Sequence, residues 1–262
     1  CIKTCVLDTP FRQSEESNIL KNAEKINNGI LDLSEGDDFE FIDIKSEKEI
    51  LDECLKIYLR EVKERTLDGV WLLTPFRKYG LLGSNTINEK LRDYLNPDCG
   101  QETFGHFRIG DKVMLMENIE GFSNGDTGYF KEILPPDDDE PYERAVIDFG
   151  FGKKTFTKDQ TSKLSLAYAS TIHKAQGCEC ACIIMPEHRM FKKINKRNLV
   201  YTGVTRAREK VYMVGQMDAL KDAILDNSCV FRNTLIASRL RKIIPVPEFE
   251  QLSFHLDKKR WQ

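Results

Sequence analysis

Two stretches between residues 167 and 215 constrain the fold more than any other part of the chain. Each ends in a short apolar run typical of a buried strand, 181–185 and 211–214, and a helix-like polar segment precedes each run. Alternation of helix and apolar strand predicts an α/β layer with a parallel sheet. In such sheets ligands bind beyond the carboxyl ends of the strands, at loops and helix starts. The polar side chains that a core would not require are Thr171, His173, Lys174, Gln176, Glu179, Tyr201, Thr202, Thr205 and Arg206.

Composition places the chain among globular proteins. It has 262 residues, of which 40% are hydrophobic and 31% charged, which suits one or two domains. No run of 18 apolar residues occurs, and the first residues do not resemble a signal peptide. We therefore expect no membrane partner and an intracellular location, cytoplasmic in a bacterium or nuclear in a eukaryote.

Charge and cysteine content exclude little but limit the choices. The net charge of −3 argues neither for nor against nucleic acid, so any basic track must be local. None of the eight Cys residues forms a CxxC pair, and Cys178, Cys180 and Cys182 are too closely spaced for a normal zinc site. Buried thiols of a reducing compartment are the favoured interpretation, and no metal site is predicted.

The periodicity changes twice along the chain. Helix and strand alternate up to about residue 105, with a helix predicted after Ser14, a strand at 39–44, a helix from Ser46 and a strand at 70–74. Five short strands then follow with tight turns, at 113–116, 127–133, 145–149, 154–157 and 164–166. This change predicts a small β-barrel inserted into the α/β domain. After the second polar segment, helices are predicted at 217–225 and 230–244.

These segments carry a family resemblance. TIHKAQGCE, from Thr171, resembles motif V of superfamily 1 helicases, and YTGVTRAREKVYMVG, from Tyr201, resembles their motif VI. FRQSEESNILKNAEKIN, from Phe11, is similar to motif IV. PFRKYGLLGSNTINEKLRDYLNP and RIGDKVMLMEN resemble two further segments of the RecD/TraA branch, which translocates 5′ to 3′ on single-stranded DNA.

The resemblance implies a RecA-like domain of the P-loop NTPase type that lacks the P-loop itself. Residues 1–105 and 166–244 would form this motor domain, called 2A in the family. Residues 106–165 would form an inserted SH3-like β-barrel, called 2B, and residues 245–262 a C-terminal tail.

The resemblance also implies functional residues. Arg12 and Arg206 match the two arginines that reach the γ-phosphate of ATP, a role that suits a planar, permanently charged guanidinium. Gln13, Gln176, Gly177 and Glu179 match positions near the nucleotide, together with Arg206. The positions implied to face DNA are Thr74, Arg77, Lys78, Thr171, His173 and Lys174. By their local sequence alone, Arg77 and Lys78 fit two solvated loop cations equally well.

Other parts of the ATPase machinery are absent from this sequence. It contains no Walker A sequence, no Asp-Glu Walker B pair after an apolar strand and no G-D-x-x-Q motif. We therefore interpret it as the C-terminal motor half of an ATP-dependent helicase, inactive alone. ATP with Mg²⁺ is the expected cofactor, with the Mg²⁺ ligands on the missing half. The expected partners are single-stranded DNA and the N-terminal RecA-like domain of the same protein. The alternative is a stand-alone nucleic-acid-binding or docking module with a degenerate RecA-like fold.

Overall fold

The computed structural model describes residues 17–138 and 140–228. Arg12, Gln13, the helix predicted at 230–244 and the predicted tail therefore lie outside the described residues. No helix within the described ranges is long and apolar enough to cross a membrane.

Helices and strands alternate at both ends of the described chain, with a run of strands between them. Its α-helices are α1 Asn18–Asn27, α2 Glu47–Glu64, α3 Ser84–Leu95, α4 Arg197–Val204 and α5 Met217–Leu225. Its strands are β1 Phe39–Asp43, β2 Val70–Thr74, β3 Thr103–Phe104, β4 Phe107–Arg108, β5 Lys112–Leu115, β6 Thr127–Leu134, β7 Arg144–Asp148, β8 Lys153–Phe156, β9 Leu164–Leu166, β10 Ala169–Thr171, β11 Cys180–Glu187 and β12 Ala207–Gly215.

The predicted parallel sheet is confirmed. Its strand order is β1-β12-β11-β2-β10, and every neighbouring pair is parallel. All eight residues of the central strand β11 are buried, which is the pattern of a parallel strand covered on both faces. All five strands run in the same direction. The sheet therefore has one edge at which every strand begins and an opposite edge at which every strand ends.

Helices cover both faces of this sheet. On one face α1, α4 and α5 pack through residues such as Ile19, Val200 and Leu220 against Ile183. On the other face α2 and α3 pack through residues such as Ile57 and Ile87 against neighbouring side chains that include Ile184. Because Ile183 and Ile184 are consecutive, their side chains point to opposite faces, so one strand serves both cores. A parallel sheet covered by helices on both faces agrees with the α/β architecture that the sequence predicts.

Two local predictions were wrong. Residues 169–171 form strand β10 and residues 172–177 form successive turns, rather than a helix before β11. Gly177 ends these turns with a φ of 90°, a left-handed conformation that stops helical propagation. Helix α1 begins at Asn18 with Ser17 as its N-cap, later than the sequence predicts after Ser14. The start is fixed by a tertiary partner, because Asp38 accepts hydrogen bonds from Ser17 Oγ, Asn18 Nδ2 and the Ile19 amide.

A second, antiparallel sheet lies between β2 and β10 in the sequence. Its order is β8-β7-β6-β5-β9, and its five strands match the five short strands predicted. Phe130, Ile147 and Phe156 belong to its own apolar core. Its closure into an SH3-like barrel, and the boundaries 1–105, 106–165, 166–244 and 245–262, stay predictions.

Polar contacts around the buried Lys112 side chain join the two sheets. The Lys112 ammonium, on β5, is 1% exposed and donates to the Leu67 carbonyl at 3.0 Å. It also forms an ion pair with Asp68 at 2.8 Å, and the Tyr129 hydroxyl donates to the same carboxylate. Leu67 and Asp68 precede β2, so these bonds attach the antiparallel sheet to the start of a central parallel strand.

Candidate nucleotide and nucleic-acid sites

Arg206 lies at the edge where the parallel strands begin. It follows α4 and directly precedes β12, and its guanidinium is half-buried. Its Nε donates to the Thr202 carbonyl at 3.1 Å and its Nη1 donates to the Cys178 carbonyl at 3.3 Å. The Cys180 amide in turn donates to the Arg206 carbonyl at 3.0 Å. These bonds hold the end of α4 against the segment that enters β11.

The segment that enters β11 carries the other predicted nucleotide residues. Gln176, Gly177 and Glu179 are all exposed and stand within three residues of Cys178. A Cβ built on Gly177 would meet no atom within 4 Å, so a ligand can approach this turn closely. The structure thus brings Arg206, Gln176, Gly177 and Glu179 to one edge of the sheet, whereas Arg12 and Gln13 lie outside the described residues.

The opposite edge of the sheet holds the residues predicted to face DNA. Thr74 and Thr171 end β2 and β10 and are paired in register. Thr74 is fully buried, and its hydroxyl donates to the Leu82 carbonyl at 2.7 Å. Its side chain therefore fixes the loop after β2 instead of facing a ligand, which differs from the expected direct contact. Thr171 is half-buried and lines a groove at this edge.

Two cations from distant parts of the sequence meet in this groove. It has a volume of about 110 Å³, and Arg77 and Lys174 both line it. Burial lowers the pKa of the Lys174 ammonium, and the nearby positive charge of Arg77 lowers it further. Because the two like charges repel each other, a bound anion such as a phosphate would stabilise the pair. Lys174 Nζ also donates to Asn124 Oδ1 at 3.1 Å, so the antiparallel sheet contributes to the same surface.

The remaining predicted residues lie nearby. Lys78 is exposed in the loop after Arg77, and His173 is exposed in the turn before Lys174. Neither side chain is among those that line the groove. The groove's other lining residues are Ser84, Asn88, Met114, Met116, Ser165, Leu166, Ala169 and Ser170.

Asn88 and Asn124 are the contributions that sequence reasoning missed. Asn88 exchanges two hydrogen bonds with the backbone of Ala169, at 2.9 Å and 2.7 Å, and so pairs α3 with the edge strand β10. The available signal was a polar residue on the face of α3 that also carries Ile87 and Leu91, both buried. No local signal marks Asn124, because its role depends on how the two sheets meet.

A larger cavity lies away from both groups of residues. It measures about 300 Å³ and is lined by His188, Arg189, Lys192, Asn195, Ala219, Asp222, Ala223, Leu225 and Asp226. None of the residues predicted to bind nucleotide or DNA contributes to it.

Comparison with known proteins supports the helicase resemblance. Residues 166–214 match the family described as UvrD-like helicase C-terminal domain. The ATP-dependent RecD2 DNA helicase of Deinococcus radiodurans is 32% identical over 177 residues, which cover 66% of this chain and 24% of that protein. The RecBCD enzyme subunit RecD of Mycolicibacterium smegmatis is also 32% identical, over 67% of this chain and 30% of its own length.

The chain belongs to the superfamily 1 helicases related to RecD. It contains the C-terminal domain of such a helicase, and the matched region spans about a quarter to a third of the curated RecD relatives. The 166–214 match runs from the end of β9 almost to the end of β12, so it includes both Gly177 and Arg206.

One solved helicase structure covers most of the chain at low identity. A structure of two coordinating Pif1 helicases at forked double-stranded DNA aligns with 90% of this chain and 54% of its own, at 19% identity and a TM-score of 0.47. The helicase assignment rests on the RecD-related sequences and not on this alignment.

Proposed function

We propose that this chain is the C-terminal motor half of an ATP-dependent 5′-to-3′ DNA helicase. In this role Arg206 stabilises charge on the γ-phosphoryl group of ATP bound with Mg²⁺ by an N-terminal RecA-like domain. Arg12 would supply a second such cation, and Gln13, Gln176, Gly177 and Glu179 would surround the nucleotide. The groove at the opposite edge forms part of a track for single-stranded DNA.

One observation carries the proposal more than any other. The Arg206 guanidinium donates a hydrogen bond to the carbonyl of Cys178, which lies between Gly177 and Glu179. A guanidinium anchored beside an open backbone turn can meet the charge of a phosphoryl group when a second domain closes over it. Preorganised cations of this kind stabilise the transition state at little cost in reorganisation. Closure would also change the spacing of the two domains on DNA, which couples hydrolysis to movement.

The experiment replaces Arg206 by Ala in the complete helicase that contains this chain. We expect ATP turnover to fall by about 10³-fold or more, because the lost cation acts on the transition state. Binding of single-stranded DNA without nucleotide should persist. Arg208→Ala is the matched control, since Arg208 is exposed on β12 two residues further along. Turnover in Arg206→Ala equal to that in Arg208→Ala would overturn the assignment.

The DNA track is tested separately by charge reversal. Arg77→Glu and Lys174→Glu should each weaken binding of a single-stranded oligonucleotide and reduce its salt dependence, because phosphate contacts dominate such affinity. Lys90→Glu, at an exposed position of α3, is the control. If all three variants bind alike at low salt, this groove is not the DNA track.

A further inference from the structure

An aromatic patch stands at one end of the antiparallel sheet. We define the Phe patch as Phe122, Phe149 and Phe151. The ring centroids of Phe122 and Phe149 are 4.8 Å apart, and those of Phe122 and Phe151 are 5.4 Å apart. Phe149 is 6% exposed and belongs to the core of this sheet, whereas Phe151 is 68% exposed. The patch therefore extends from the buried ring of Phe149 to the solvent-exposed ring of Phe151.

The turn that presents Phe151 is well defined. Residues 149–152 join β7 to β8, and the Phe149 amide donates to the Gly152 carbonyl at 2.9 Å. Gly150 has a φ of 84°, and its amide donates to Asp148 Oδ1 at 2.9 Å. Gly152 lies close to the Phe122 ring, because a Cβ placed there would come within 3.4 Å of it. The outward direction of Phe151 thus follows from a hydrogen-bonded hairpin packed on a ring.

One turn connects the patch to Lys174 of the groove. Phe122 directly precedes this turn, which runs from Ser123 to Asp126, and Asn124 Oδ1 within it accepts a hydrogen bond from Lys174 Nζ. The Asn124 amide donates to Asn118 Oδ1 at 2.7 Å, and the Ser123 amide donates to Asp126 Oδ2 at 2.7 Å, so this turn is also held in place. The same turn therefore contacts the cationic groove on one side and supports Phe151 on the other.

The chemistry of the patch fits an unstacked nucleobase. Aromatic rings beside a cationic surface that follows the phosphates are the usual construction of single-strand binding sites. Lys153 and Lys154 come directly after the hairpin, and Lys153 is exposed. The nearby carboxylates of Asp126 and Asp148 accept backbone hydrogen bonds within their own turns.

We infer that Phe151 stacks on a base of the single-stranded DNA that occupies the groove, so that the Phe patch extends the track onto the antiparallel sheet. This inference rests on the proposed function. Such stacking tolerates any base, because every base presents a π face, and it requires that the bases be unpaired.

The test uses the complete helicase and a single-stranded oligo-dT that carries one 2-aminopurine. Phe151→Ala should weaken binding by about tenfold, which is the usual effect of removing an aromatic side chain that stacks on one base. The loss should be much smaller for an abasic oligonucleotide of equal length. Phe151→Trp should retain the affinity and the quenching of 2-aminopurine fluorescence that Phe151→Ala loses.

Tyr142→Ala is the matched control. Tyr142 is also 68% exposed, but it precedes β7, whereas Phe149 and Phe151 follow the other end of that strand. If wild-type protein binds the oligonucleotide and Lys174→Glu weakens binding, equal affinity of Phe151→Ala and Tyr142→Ala would overturn this inference alone. Capture of a protein partner that depends on Phe151, with unchanged DNA affinity, would also overturn it. If wild-type protein does not bind the oligonucleotide, the proposed function fails and this inference fails with it.

Discussion

The contacts of several side chains in this domain could not be predicted from their residue types. Thr74 ends a strand at the edge where DNA is expected, yet its hydroxyl donates a hydrogen bond to the Leu82 carbonyl. Arg206 is half-buried, and its guanidinium is anchored to two backbone carbonyls. Anchoring lowers the entropy that the side chain would lose on meeting a phosphate, so a held cation suits the proposed role.

Glu187 gives a prediction at this scale. It ends β11 at 1% exposure, where burial raises the pKa of its carboxyl to about 8 despite a hydrogen bond from Asn195. Between the ordinary pKa of 4.5 and about 8, the folded protein keeps a proton that the unfolded chain has released. Stability therefore falls as the pH rises through this window, by on the order of a few kcal/mol.

Glu187→Gln should remove that loss. The variant should gain stability relative to wild type between about pH 5 and about pH 9, as measured by urea unfolding of this chain. Glu120→Gln, at an exposed position, serves as control. Parallel stability curves for wild type and Glu187→Gln would show that Glu187 does not titrate in this way.

At the scale of elements, side chains complete contacts that the backbone leaves open. Strand β10 is the outermost strand of the parallel sheet. Its Ala169 amide and carbonyl form hydrogen bonds with the side chain of Asn88 on α3. The Asn88 side-chain amide has both a donor and an acceptor, so it replaces the hydrogen bonds that a neighbouring strand would make. This pairing fixes α3, and with it the loop that carries Arg77, relative to Thr171.

Asn88→Ala should therefore destabilise the domain more than its size suggests. It leaves two backbone groups at a buried position without partners, which we expect to cost about 2–4 kcal/mol. Urea unfolding of the isolated chain measures the loss, and Glu89→Ala, the exposed next residue of α3, is the control. Equal midpoints for the two variants would show that water replaces both bonds.

At the scale of the whole molecule, the two sheets share one surface. Lys112 attaches the antiparallel sheet to the start of β2, and Asn124 reaches Lys174 at the far edge of the parallel sheet. Among the described residues, Gln176, Gly177, Glu179 and Arg206 lie where the strands of that sheet begin, and the predicted DNA residues lie where its strands end. In the proposed motor, domain closure at the nucleotide residues would be coupled to movement of DNA at the other end of the strands.

The isolated chain should show no ATPase activity, because its sequence supplies cations but neither a phosphate loop nor Mg²⁺ ligands. Phosphate release should be measured with single-stranded DNA present. The complete helicase serves as the positive control. Turnover that co-purifies with the chain and disappears in Arg206→Ala would contradict this expectation.

The sequence by itself determined the alternation of helix and strand before residue 105, the parallel sheet and the change to five short strands. These features follow from local periodicity and turn residues, which need no knowledge of distant contacts. The polar segments at 171–179 and 201–206 were equally visible, because a buried core would not select them. The strand at 169–171 was missed, since three residues beside a turn carry too little periodicity.

Only the tertiary structure decided which side chains meet. Register places Thr74 beside Thr171, and packing turns the Thr74 hydroxyl inward and brings Arg77 to Lys174. Asn88 pairs with Ala169 for the same reason. Each contact joins segments far apart in the chain, and such pairings depend on how strands and helices dock. Sequence periodicity specifies the faces that become buried, but the relative position of those faces is set when all the elements pack together.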